Sequence, residues 1–99
     1  MQRRTFEIVV KDIGITMLLY RLRSGFSQFT LGIEVQMSTN QIGRIERGKT
    51  NPTVGSLTKI ADALKIEISE FFVKRTDEDL NRMLDEIKLL QEESEKEEG

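Results

Sequence analysis

The sequence has no cysteine and no histidine, and only one proline in 99 residues. Without thiols or imidazoles there is nothing to build a disulfide, a typical zinc site, a thiolate nucleophile or a histidine general base. A carboxylate-only site survives this count, but most acidic side chains lie in one terminal run. The expectation is a non-enzyme without metal or cofactor. No apolar stretch approaches the roughly 20 residues that cross a bilayer. Phe6 to Val10 is too short for a signal-peptide core and is followed at once by Lys11 and Asp12. A cytoplasmic chain with no membrane partner is expected, and its length suits one small domain.

The formal net charge of −2 conceals a division. Residues 1–76 carry 12 basic and 7 acidic side chains, a net +5, whereas residues 77–99 carry 3 and 10, a net −7. The chain therefore divides into a basic body, 1–76, and an acidic extension, 77–99. A basic body suits a polyanion and an acidic extension repels one, so the overall balance favours neither.

Apolar residues recur at helical spacing nearly throughout, and no alternation of period two lasts long enough for a sheet. Phe6, Val9, Val10, Ile13, Met17, Tyr20 and Leu22 trace a first helix with Thr5 as N-cap, although Phe6–Val10 also suits a short strand. Gly25 ends this segment. Ser27 caps a second helix, Gln28 to about Val35, with Leu31 and Val35 inward. Ser38 caps a third, Thr39 to about Arg47, with Ile42 and Ile45 inside and Gly48 at its end. Thr53 caps a fourth that turns Val54, Leu57, Ile60, Ala61 and Leu64 to one side. A short fifth follows around Ser69–Val73. Asp77 to about Glu95 forms a sixth, with an acidic first turn and a frayed end from Glu92 onward. The fold class is all-α.

On the third helix Asn40, Gly43, Arg44 and Arg47 fall at i, i+3, i+4 and i+7, opposite Ile42 and Ile45. A polar, basic ridge of this kind fits the DNA major groove, which admits one helix. Asn can pair with adenine and Arg with guanine, each for ~1–3 kcal/mol of discrimination. The same ridge also suits an ordinary solvated face.

Arg21, Gly25-Phe26-Ser27-Gln28, Leu31, Ser38, Ile42, Ile45-Glu46-Arg47-Gly48, Asn51-Pro52 and Leu57 through Ala61 to Leu64 occur in one order and spacing. Through them Arg21–Phe72 resembles the lambda-repressor-like (Cro/repressor, xenobiotic-response-element) helix-turn-helix family. The resemblance implies a five-helix DNA-binding domain, to which residues 77–99 add a C-terminal helical extension; the expectation is a transcriptional regulator acting as a homodimer on a palindromic DNA operator. It implies phosphate contact by Gln28 and base reading by or beside Ser38, Thr39, Asn40 and Arg44. Arg47, Lys49, Thr50 and Asn51 would touch phosphates around the following loop. Arg21 and Glu46 would form a buried structural ion pair. Two positions depart from the pattern. Gln36 replaces the glycine of the turn, which implies some strain at positive φ. Gly32 replaces a helical alanine, losing about 0.8–1.0 kcal/mol of propensity.

Gly43–Thr50 also matches the phosphate-loop pattern GxxxxGK[ST]. That loop needs a preceding strand and a helix beginning at its Lys-Thr, whereas the periodicity here puts a helix first and Asn51-Pro52 afterwards. Nucleotide binding is not expected. In the extension, Leu80, Met83, Ile87 and Leu90 follow heptad spacing, with Leu84 widening the stripe. With Phe72 they are the expected dimer interface; the alternative is a helix folded back on its own domain, over Phe71 and Phe72. An antitoxin or restriction-modification controller of the same fold remains open, as does a protein-interaction module whose partner binds the C-terminal helix.

Overall fold

The computed structural model describes residues 4–98, with five α-helices, one 3₁₀ turn and no strand among them. The helices are α1 (Phe6–Arg23), α2 (Gln28–Val35), α3 (Thr39–Glu46), α4 (Val54–Leu64) and α5 (Asp77–Glu98). The 3₁₀ turn, Ile68–Phe72, lies between α4 and α5. None of these helices is long and apolar enough to cross a membrane.

Each early helix begins on a hydroxyl side chain. Thr5, Ser27, Ser38 and Thr53 accept from Ile8, Thr30, Gln41 and Ser56 N–H groups respectively, which satisfies amides that have no partner inside the helix. Phe6–Val10 is helical, not a strand, because this cap starts α1 at Phe6. The ends are equally local. Lys49 N–H donates to Arg44 C=O and Gly48 N–H to Ile45 C=O, while Gly48 sits at φ 68°. This paired closure needs a left-handed residue, which glycine supplies without a Cβ penalty. The turn after α2 closes in the same way, but on Gln36, at φ 60° and ψ 44°.

Ile13, Met17, Leu31, Val35, Ile42, Ile45, Leu57, Ile60, Ala61, Leu64 and Phe71 form one apolar core. Val54, expected on the inner face of α4, is instead 68% exposed. It is the first residue of its helix, where α4 overhangs the core. Phe6, the first residue of α1, is likewise exposed. The fifth helix is a 3₁₀ turn that sends Phe71 inward and leaves Phe72 43% exposed.

Helix α5 folds back on its own domain, packing chiefly against α1 rather than over Phe71 and Phe72. It buries Ile87 and continues helical to Glu98, so fraying from Glu92 is not observed. Thr76 and Asp79 start it reciprocally, each backbone N–H donating to the other's side chain. Arg23 of α1 donates Nε and Nη2 to the two carboxylate oxygens of Glu86 at 2.6 and 2.7 Å. Two parallel charge-assisted bonds fix the rotation of α5 against α1.

Candidate nucleic-acid interface

Helix α3 has two unlike sides. Ile42 and Ile45 are buried in the core, and Thr39, Asn40, Arg44 and Arg47 are exposed on the other side. What holds this helix is a carboxylate at its last residue. Arg21 of α1 donates Nε to Glu46 Oε2 at 2.6 Å and Nη2 to Oε1 at 3.1 Å. The two side chains are 9% and 3% exposed. Arg21 Nη1 also donates to Phe26 C=O at 2.8 Å, so the same guanidinium ties down the turn between α1 and α2. Gln28 Nε2 donates to Glu46 Oε1 at 2.9 Å, bringing in α2.

Close backbone approach completes the mounting. A Cβ at Gly14 would lie 2.5 Å from Ile45 O and 2.6 Å from Glu46 O, so α1 and α3 touch at their backbones there. At Gly32 a Cβ would run into Met37 O, so the turn has closed onto a position where the family pattern carries alanine.

Gln28 lies at the amino end of α2, half-buried, with its amide turned to Glu46. Ser38 is exposed and engaged as the α3 cap, with Ser38 N–H donating in return to Gln41 Oε1 at 2.8 Å. Arg44 folds over the following loop, Nη2 donating to Lys49 C=O at 3.3 Å. Lys49 and Asn51 are exposed and Thr50 half-buried. Arg44, Thr50 and Asn51 line a groove of about 190 Å³ together with Met37, Gln41 and Pro52. Gln28, the exposed α3 residues and this loop therefore lie around one helix.

The role of Gly43 was not evident from the spacing alone. A Cβ there would lie 2.8 Å from Arg47 Nη1 and 3.4 Å from Gln28 Nε2. Glycine leaves a slot across the α3 backbone in which a guanidinium and an amide from different helices converge. A glycine mid-helix was the only signal. Gln41 was also missed; its position three residues after Ser38 is the capping-box spacing.

The phosphate-loop match carries no such loop, since Gly43–Glu46 is helical, no strand precedes it and no helix starts at Lys49-Thr50. Among the described residues no cluster of acidic side chains is arranged to hold a metal. Of the expected dimer seam, Ile87 is 5% exposed within the single chain. The cause is the packing of α5 on α1. Leu80, Met83 and Leu90 are half-buried, and Leu84 and Phe72 remain exposed.

Against known proteins, a helix-turn-helix family model matches residues 18–71. The HTH-type transcriptional regulator SlrR of Bacillus subtilis (strain 168) is 40% identical over 65 residues, which is 65% of this chain and 43% of that protein. The chain thus spans less than half the length of this relative. Among solved structures, the restriction-modification controller protein C.AhdI from Aeromonas hydrophila superposes with a TM-score of 0.61 at 32% identity. That match covers 64% of this chain and 96% of the controller.

Proposed function

The chain belongs to the lambda-repressor-like helix-turn-helix family, and on that premise we propose that it regulates transcription as a homodimer bound to a palindromic double-stranded DNA operator. The observation that carries this reading is the mounting of α3. Its apolar side and Glu46 are locked into the body while Thr39, Asn40, Arg44 and Arg47 face outward.

The proposed action is occupancy, with no chemistry on a substrate. Helix α3 enters the major groove, where Asn40 and Arg44 read base edges and Ser38 and Thr39 lie against the same groove. Arg44 releases the Lys49 carbonyl to do so. Gln28 and the positive end of α2 hold one phosphate, and Arg47, Lys49, Thr50 and Asn51 hold the backbone beside the loop. Phosphate contacts fix the register and base contacts choose the sequence. Leu80, Met83, Leu84, Leu90 and Phe72 are the residues left for a dimer surface, and a dimer would read half-sites about 34 Å apart. Similarity to a restriction-modification controller protein favours that role among those open to this fold.

A selection from random duplex DNA at roughly physiological salt tests the reading. A recovered palindrome with half-sites one helical turn apart is expected. Binding that fades evenly across all sequences as salt rises would leave phosphate attraction alone and reject sequence-specific regulation. In the recovered site, Arg44→Ala should relax one base position; unchanged selectivity would remove Arg44 from the readout.

A further inference from the structure

A cleft of about 620 Å³ lies between the amino end of α2 and the last turns of α5. Ser27, Gln28 and Phe29 line one wall and Leu90, Glu93 and Ser94 the other, with Leu22 and Phe26 between them. Gln28 is the residue assigned above to a DNA phosphate. The acidic end of the extension therefore stands beside the positive end of α2. Its position is built in: the bidentate Arg23–Glu86 pair and buried Ile87 pin α5 one to two turns earlier, and the helix continues through this stretch without a break.

We propose that the acidic last turns of α5 compete with duplex DNA for the amino end of α2, so that the chain carries its own brake on phosphate binding. The inference rests on the DNA-binding reading and concerns the regulation of that same face. Glu93 lines the cleft with Gln28, and the exposed Glu92 and Glu95 flank it on the same turns of α5, so like charge stands beside any phosphate seated at Gln28. The Debye length is about 8 Å at physiological salt, so charges on two walls of one cleft still repel each other there. The effect falls most heavily on loose, sequence-independent binding, which phosphate contacts supply.

The test uses the full chain and a random-sequence duplex two helical turns long. The variant is Glu92→Gln/Glu93→Gln/Glu95→Gln, which keeps side-chain size and helix propensity. The control is Asp77→Asn/Glu78→Gln/Asp85→Asn, which removes as many charges earlier on the same helix. The tail variant should bind about five- to tenfold tighter than the parent at about 50 mM salt, with the gap closing by about 300 mM. The control should gain less than about twofold. Equal affinity of parent and tail variant overturns the brake and leaves DNA binding intact. Equal gains in both variants also overturn it, since net charge and not position would then be responsible. Failure of all three proteins to bind the duplex at any salt removes the DNA-binding reading and the brake together.

Discussion

Gln28 of α2 donates to Glu46 of α3 at 2.9 Å, on the same carboxylate oxygen that Arg21 Nη2 of α1 already occupies. One carboxylate thus joins three helices, and the amide assigned to a phosphate is mechanically connected to the helix assigned to the bases. With Glu46 nearly enclosed, loss of its main partner leaves an uncompensated buried charge.

Arg21→Met should therefore lower stability by ~3–5 kcal/mol in urea unfolding. Adding Glu46→Leu should restore most of that loss, because the double variant strands no ion. A single-variant cost below about 1 kcal/mol would place the pair with ordinary exposed ones.

Gly14→Ala is the steric counterpart. The new Cβ meets two backbone carbonyl oxygens of α3, neither of which can rotate away as a side chain would. A loss of ~1–3 kcal/mol is expected, as for other overpacked sites, despite the better helix propensity of alanine. Gly32→Ala should behave alike, with Met37 O as the obstacle. A gain in melting temperature for either variant would show that the helices can separate without cost.

Gln36 tests the opposite case. It holds φ 60° without glycine's freedom, and the left-handed region costs an ordinary residue roughly 1–2 kcal/mol. Part of any relief is lost to the greater unfolded-state entropy of glycine. Gln36→Gly should stabilise by about 0.5–1 kcal/mol in the same unfolding assay. Destabilisation would mean that the Gln36 side chain makes a contribution that outweighs its backbone strain.

The starts of the first four helices were legible because each depends on one hydroxyl residue just before an apolar repeat: Thr5, Ser27, Ser38 and Thr53. The Gln36 turn was legible for a similar reason, since its conformation is imposed by a local closure. Val54 misled because periodicity gives the face of a helix but not where the core beneath it stops. The course of α5 was illegible: its heptad stripe fits a second chain or α1 equally well. In the structure it packs on α1, burying Ile87 and pairing Arg23 with Glu86, 63 residues apart in sequence. Gly43 was noted as part of the ridge, but the convergence of Arg47 and Gln28 over it depends on the crossing of α2 and α3.

Two carboxylates should respond to acid in opposite directions. The hydrogen bonds from Arg23 hold the Glu86 carboxyl below its ordinary value of 4.5, with desolvation opposing. A lowered folded-state value means stability that is present above the ordinary value and lost as pH falls through the folded one. Both partners are over one-third exposed, so Glu86→Gln should cost less than about 1 kcal/mol at neutral pH and nothing in strong acid. Burial raises Asp12 above its ordinary 3.8, against the pull of Arg4, Arg75 and Lys11. Its contribution is present below the ordinary value and lost as pH rises through the folded one. Asp12→Asn should therefore raise the urea midpoint at neutral pH and have little effect in acid. A lower midpoint at neutral pH would show that the attraction of Arg4 and Arg75 outweighs burial.

Salt separates the proposed phosphate contacts from the base contacts. Each phosphate neutralised by a cation contributes about −0.9 to the slope of log affinity against log salt. Lys49→Ala, on an exposed side chain of the loop after α3, should weaken binding to all duplexes evenly and flatten that slope by about one. Asn40→Ala should leave the slope unchanged and cost ~1–3 kcal/mol only where the selected site places its base partner. The two variants thus fail differently if the assignment is wrong. An unchanged slope for Lys49→Ala would take that side chain off the DNA backbone, and a uniform loss for Asn40→Ala would turn a reader of bases into a reader of phosphates.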